Sequence, residues 1–281
     1  MSRINYRNNL LTKAAVEIED LEVNTGGIIT RYLTAGKGET VVLLHGAAGG
    51  AVNWFRLIGP LAEHFQVIAP DVVGYGETDK PNAAYDRPYF SNWLKNLFAA
   101  LAIEQANIVG SSQGGAIAVQ FTLDNPQRVK KLVLLNAAAM GEMPLSFWKV
   151  IMYLWQNTFP SKLLARLMFS DDVYDKSTFD PDLLDYFVEV QKKEGGGRVA
   201  WQGKGQAVSP MSDDDLASIE KETLFLWGQE DRLCPLQHAE RAHKLMKHAR
   251  LQIIEQSSHL PYLDQPEKAV QAIVAFLKGE K

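Results

Sequence analysis

Short, nearly unbroken apolar runs alternate along this chain with longer stretches of helical period. Residues 40–44, 66–69, 106–109 and 129–135 are four such runs, rich in Val, Ile and Leu. Their length and uniform apolarity predict strands buried on both faces rather than half-exposed ones. Between them lie amphipathic stretches, the clearest at 89–101 and 116–123, which predict helices. After a gap the pattern resumes, with strands predicted at 222–227 and 251–254 and an amphipathic helix at 267–277. Two runs near the start, 15–23 and 27–33, instead alternate apolar and polar positions around Asn24-Thr25-Gly26, which predicts an antiparallel hairpin at a sheet edge. Strands separated by helices in this order predict an α/β fold with a mostly parallel sheet covered on both faces.

The alternation stops after Ala139. From there the sequence is helical or irregular, with bulky stretches at 147–155 and 163–169 and a glycine loop at Gly195-Gly196-Gly197. One core built from 1–139 and 213–281, with a helical cap at 140–212 inserted into it, accounts for this layout. No internal repeat or low-complexity tract is visible.

Composition narrows the classes of function. With 46% hydrophobic and 22% charged residues the chain is an ordinary globular one. A net charge of -4 supplies no basic field for nucleic acid. Residues 1–13 lack the apolar stretch of a signal peptide, and no run reaches the roughly 20 residues of a membrane span, so a soluble cytoplasmic protein is expected. The single cysteine, Cys234, excludes an internal disulfide. The six histidines show no paired metal-ligand spacing, so no metal site is expected; His243 and His248 read as part of an exposed helix. A homodimer is one arrangement the sequence allows.

The chemistry is carried by residues that follow strands. After the 106–109 run comes Gly110-Ser111-Ser112-Gln113-Gly114-Gly115, then a helix: strand, G-x-S-x-G, helix. A tight turn lifts the serine above the sheet, and glycine two residues to either side lets the backbone pass closely. Ser112 is therefore the candidate nucleophile; Ser111 occupies the variable position. A serine hydroxyl needs an imidazole to take its proton, and the imidazole needs a carboxylate to fix its tautomer. His259 follows the 251–254 strand and Asp231 the 222–227 strand, and the chain order Ser112, Asp231, His259 is the order expected for such a triad. Glu230 is the alternative acid. A tetrahedral intermediate needs two donors. The amide of Gln113 is one candidate, and the amide of Ala47, in the small-residue loop His45-Gly46-Ala47-Ala48-Gly49-Gly50, is the other. His45 is read as structural, and Cys234 as a packed thiol.

Five ordered segments now resemble one superfamily: the His45-Gly46 loop, Asp71-Val72-Val73-Gly74-Tyr75-Gly76-Glu77-Thr78, the Ser112 elbow, Trp227-Gly228-Gln229-Glu230-Asp231, and the His259 segment. Together they resemble the cap-bearing α/β-hydrolases, a group of small esterases, ring-cleavage-product hydrolases, haloperoxidase-like enzymes and dehalogenases. The resemblance implies the α/β-hydrolase fold, with an eight-stranded mostly parallel sheet, helices on both faces and a helical cap, and no cofactor. Dehalogenases and epoxide hydrolases of this fold use an aspartate nucleophile, so Ser112 points away from them. Ring-cleavage-product hydrolases usually carry asparagine before the serine and tryptophan after the histidine, where this chain has Ser111 and Leu260. Hydrolysis of small to medium carboxylic esters through an acyl-enzyme is thus the leading expectation. Carbon-carbon hydrolysis of meta-cleavage products is the alternative, with Arg166 or Arg198 as holders of a substrate carboxylate. A non-catalytic ligand-binding protein is the rival from another class. Trp148, Met152, Leu164, Met168 and Leu260 are the candidate pocket residues.

Overall fold

The computed structural model describes residues 5–280; the first four residues of the 1–13 stretch and the last residue of the 213–281 segment lie outside the described residues. Eight strands form one sheet: β1 (Glu19–Asn24), β2 (Ile29–Ala35), β3 (Thr40–Leu44), β4 (Gln66–Pro70), β5 (Ala106–Ser111), β6 (Val129–Leu135), β7 (Thr223–Gly228) and β8 (Ala249–Ile254). Their order is β1-β2-β4-β3-β5-β6-β7-β8. β2 runs antiparallel to both β1 and β4, and every pairing from β4 to β8 is parallel.

The helices are α1 (Tyr6–Thr12), α2 (Phe55–Ala62), α3 (Arg87–Ala100), α4 (Gln113–Asp124), α5 (Phe147–Thr158), α6 (Lys162–Phe169), α7 (Pro181–Gln191), α8 (Arg198–Gly203), α9 (Asp213–Ala217), α10 (Leu236–Leu245), α11 (Pro261–Asp264) and α12 (Pro266–Lys278). Period-two alternation of the strands feeds two apolar layers. Val42, Leu44, Ile108, Leu132, Leu134, Phe225 and Trp227 pack with α3, α4 and α10 on one face. Val41, Leu43, Val109, Val133, Leu135, Leu224 and Leu226 pack with α2 and α12 on the other. Both faces being covered explains why these strands read as uniform apolar runs. The edge strand β1, open on one side, carries the polar pattern Glu-Asp-Leu-Glu-Val-Asn.

Several sequence expectations need correction. The hairpin forms, but β1 begins at Glu19 rather than Ala15. Ala15 adopts φ +54°, and Val16 and Ile18 pack against the α2–α12 layer without a strand partner, so their alternation marks contact, not sheet. Helix α10 stops at Leu245, leaving His248 in the turn before β8. Helices α1 and α2 were not singled out from the sequence; α2 has an apolar face of Phe55, Leu57, Ile58 and Leu61 but contains Pro60, and Gly59 abuts the Ala14 carbonyl, where a β-carbon would overlap it.

Between β6 and β7 the chain forms α5, α6, α7, α8 and α9. Ser146, Ser161 and Asp180 cap α5, α6 and α7 by accepting from the amides of Lys149, Leu164 and Asp182. A buried cluster links this segment to the rest of the molecule. Arg7 on α1 donates to Asp71 Oδ2 (2.9 Å) and to the Tyr186 hydroxyl on α7 (3.1 Å), and its other guanidinium nitrogens reach Asp20 at 2.7 and 2.9 Å. Asp71 also accepts from the amides of Ala51 and Glu77, which fixes the loops after β3 and β4.

Candidate active site

The chain turns back on itself at β3. Both neighbours of that strand, β4 on one side and β5 on the other, run parallel to it, so successive strands are added first on one side of β3 and then on the other; such a reversal point is where parallel α/β sheets bind ligands, at the carboxyl ends of the strands. Ser112 stands there, between β5 and α4, with φ +51° and ψ -121°. This is a costly conformation for a residue with a β-carbon, and the neighbouring glycines are what permit it. A β-carbon on Gly114 would overlap the Leu44 carbonyl, and one on Gly110 would collide with Gly114. The Ser112 amide donates to Leu135 O (3.1 Å), and Ser112 O accepts from Ala138 N (2.9 Å) and Gly115 N (3.0 Å), so the strained turn is tied to the end of β6.

The candidate acid and base follow the next two strands. Asp231 follows β7 and is buried, with His259 likewise buried beyond β8. His259 Nδ1 lies 2.8 Å from Asp231 Oδ2. A carboxylate can only accept, so Nδ1 carries the proton and Nε2 is left as the basic nitrogen. Among the described residues, the His259 ring is hydrogen-bonded through Nδ1 alone. Burial by itself would lower the His259 pKa, but the charge and hydrogen bond of Asp231, helped by Asp172, outweigh it and raise the pKa above its ordinary value. Desolvation pushes the Asp231 carboxyl upward; His259 and the donors from Cys234 and Asn136 overcome this and hold it low. Its Oδ1 accepts from the amides of Leu233 (2.7 Å) and Cys234 (2.9 Å).

Asn136, a residue that sequence reasoning missed, joins these parts. Its Nδ2 donates to Asp231 Oδ2 (2.6 Å) and to Ser258 O (3.3 Å), while its Oδ1 accepts from Gly228 N (3.0 Å). One fully buried side chain therefore holds the acid, the strand that precedes it and the histidine loop. Its backbone sits at φ +43°, next to Leu135, which anchors the serine. Glu230 does not compete for the imidazole: its Oε2 accepts from Ser257 N (2.9 Å), bracing the same loop.

The loop after β3 abuts Ser112. A β-carbon built on Gly46 would lie 3.0 Å from Ser112 Cβ. Gln113 opens α4, so its amide has no acceptor within the helix and the helix dipole points toward the elbow. Its side chain is held away, Oε1 accepting from the Tyr75 hydroxyl (2.8 Å). Ala47 lies half-buried in the loop after β3. His45 is structural in its bonding. Nε2 accepts from Val72 N (2.9 Å), so the proton must sit on Nδ1, which donates to Gly46 O (2.7 Å); burial lowers its pKa and keeps it neutral.

Asp231, Cys234 and His259 present ligand atoms within 4.8 Å of one another. They do not suit a metal ion, because both Asp231 oxygens and His259 Nδ1 already share hydrogen bonds. Burial also pushes the Cys234 thiol pKa well up, against the thiolate a metal would need.

Of the candidate pocket residues, Met152, Leu164, Met168 and Leu260 are half-buried, and Leu260 packs on the α2–α12 layer. Trp148 lies on the outer surface. Arg166 is also exposed, and Arg198 is committed to the Lys80 carbonyl and Glu194. Near His259 the chain instead supplies Asp172, whose backbone carbonyl accepts from Leu260 N (3.0 Å). Desolvation, with Asp231 and Asp171 acting in the same sense against His259 and Lys149, pushes its carboxyl up to about 6.

Comparison with known proteins adds to this geometry. A family described as alpha/beta hydrolase fold matches residues 39–266. The 2-hydroxy-6-oxononadienedioate/2-hydroxy-6-oxononatrienedioate hydrolase of Paraburkholderia xenovorans is 32% identical over 267 residues, covering 90% of this chain and 91% of that protein. The solved structure of 2-hydroxy-6-oxo-6-phenylhexa-2,4-dienoate hydrolase from Rhodococcus sp. strain RHA1 superposes with a TM-score of 0.82 at 25% identity, covering 93% of this chain and 98% of that one. A carboxylesterase from Bacillus subtilis superposes with a TM-score of 0.83 at 26% identity, covering 98% and 97%.

Proposed function

Because the chain belongs to the alpha/beta hydrolase fold family, we propose that it is a serine hydrolase in which Ser112 is the nucleophile, His259 the base and Asp231 its orienting acid. The observation that carries this reading is the buried His259 Nδ1–Asp231 pair, which leaves Nε2 basic, beside a serine held in the strained elbow. In this mechanism His259 Nε2 takes the Ser112 proton as Oγ attacks the acyl carbon. The amides of Gln113 and Ala47 receive the oxyanion, and the imidazolium returns its proton to the leaving group. Water then attacks the acyl-enzyme with the same base. Residues 140–212 act as a cap over this site, with Met152, Leu164, Met168 and Leu260 as its apolar lining.

Among substrates, carboxylic esters fit best. A dienoate ring-cleavage product brings a carboxylate of its own, and the group contributed near His259 is Asp172, an acid. Neither Arg166 nor Arg198 is held toward the base to offset it. The second reading, carbon-carbon hydrolysis, draws support from similarity to dienoate hydrolases. Purified wild type and Ser112→Ala assayed on p-nitrophenyl esters of increasing chain length, with one ring-cleavage dienoate alongside, separate the two. Turnover of short esters, lowered about 10⁴- to 10⁶-fold in Ser112→Ala, is expected. Turnover confined to the dienoate would replace the ester reading, and undiminished turnover in Ser112→Ala would overturn the triad.

A further inference from the structure

The outer faces of α5 and α6 are apolar where a soluble protein usually carries polar groups. Phe147, Trp148, Trp155, Phe159, Leu163 and Leu167 are each between 55% and 73% exposed. Trp148, Trp155 and Phe159 are spaced seven and four residues apart, within about 20° of one line along a helix. Leu163 and Leu167 repeat the four-residue spacing on α6. Phe159 sits in the turn between the two helices, so the exposed stripe runs from one to the next. Single exposed apolar residues are unremarkable, but six along two consecutive helices and the turn between them call for a partner.

Charge indicates what the partner is. From position 143 to 170 the chain contains Lys149, Lys162 and Arg166 and no aspartate or glutamate, although its overall net charge is -4. The acids nearest these cations are Asp171, 3.3 Å from Lys149, and Asp185, 2.6 Å from Lys162. Both pairs are solvent-accessible on the lysine side, where ion pairing is weak and a competing anion can replace it. Arg166 is exposed one turn along from Lys162.

We propose that the α5–α6 face docks peripherally on an anionic lipid surface, its aromatic stripe entering the interfacial layer and Lys149, Lys162 and Arg166 meeting lipid phosphates. Tryptophan and phenylalanine on one side of a helix with basic residues along the border are the pattern of a helix lying in that layer. No helix among the described residues is long and apolar enough to cross a membrane, so the contact is with the surface. A second copy of the chain fits less well. A two-fold contact through this face would bring Lys162 and Arg166 toward their own counterparts, with Asp171 and Asp185 already paired to Lys149 and Lys162.

The test uses the full chain and vesicles of pure phosphatidylcholine or of phosphatidylcholine mixed with phosphatidylglycerol, read by co-sedimentation and tryptophan emission. Trp54, Trp93 and Trp227 are buried, so a shift in emission reports mainly on the exposed indoles. Binding to the mixed vesicles, weakened by about 0.5 M salt, with a blue shift, is expected. Trp148→Ser combined with Trp155→Ser lowers the partition coefficient at least about tenfold, and Arg166→Ala alone, at an exposed position that folding does not depend on, lowers it about fivefold. No co-sedimentation of wild type with either vesicle overturns the proposal, as does binding unchanged in both variants. Self-association through this face without vesicle binding, seen by analytical ultracentrifugation and lost in the tryptophan variant, would assign the face to a second copy instead. Repeating the co-sedimentation with ether-linked phospholipids, which carry no carboxylic ester to cleave, keeps its outcome independent of the esterase reading.

Discussion

Replacing Asn136 by alanine removes three hydrogen bonds at once. The Nδ2 bond to Asp231 is charge-assisted, and bonds to charged groups contribute about 1.5–3 kcal/mol. Loss of Oδ1 strands the Gly228 amide, and a buried unsatisfied donor costs about 1–3 kcal/mol. Alanine at φ +43° adds backbone strain of about 1 kcal/mol, because asparagine tolerates the left-handed region better. Contributions that share one side chain do not add fully, so a loss of about 3–5 kcal/mol is expected in urea unfolding at unchanged slope. The catalytic effect is separate. Asn136 touches neither Ser112 Oγ nor the expected substrate position, so KM should hold within about threefold. If about 1.4–2.8 kcal/mol of imidazolium orientation is lost in the transition state, kcat on a p-nitrophenyl ester falls about 10- to 100-fold. Asn136→Gly relieves the backbone strain and should recover about 1 kcal/mol of stability but none of the kcat. If Asn136→Ala costs less than about 1 kcal/mol and leaves kcat within about twofold, Asn136 does not hold these loops and the reasoning fails.

Two other perturbations probe the same site. With its pKa raised above 6.5, His259 is protonated at low pH and becomes a base only above its own pKa, so kcat/KM should rise with pH through a midpoint above 6.5. In linkage terms, its contribution to stability is full below 6.5 and is lost as pH rises through the folded value. Asp172→Asn removes one of the charges that raise that pKa and should move the midpoint down; a pH–rate profile with no such movement would show that Asp172 does not act on the base. In Gly228→Ala the new β-carbon would overlap the Ser258 carbonyl, forcing the acid strand and histidine loop apart, so a loss of at least about 3 kcal/mol with a fall in kcat is expected, and a wild-type melting temperature would contradict that packing.

The sheet was legible because both faces of its central strands are covered. Residues 40–44 and 129–135 coincide with β3 and β6 for that reason, while the start of β1 was misread because Val16 and Ile18 alternate against a helix layer rather than a strand. The geometry of the candidate site was legible where chemistry demands a residue type in a fixed local frame, as in the glycines around Ser112. Asn136 had no such signal. An asparagine after a strand resembles a turn residue, and its role depends on residues 95 and 122 positions away. Trp148 was misjudged for a related reason: helical spacing shows that α5 has an apolar face without showing whether that face turns inward.

The arginine of the first helix has a further consequence, for the order of events on the ribosome. Arg7 is translated well before the tyrosine whose hydroxyl completes its set of partners, 179 positions further along. Contacts of such long sequence separation form late, after the loops they close have been organised. Asp71 is buried and accepts from the amides of Ala51 and Glu77, and Arg7 is the cation that balances its charge once α1 is seated. Helix α1 is thus synthesised before its partners and seated late, and its docking marks the point in biogenesis at which the sheet and the helices after β6 have both taken shape.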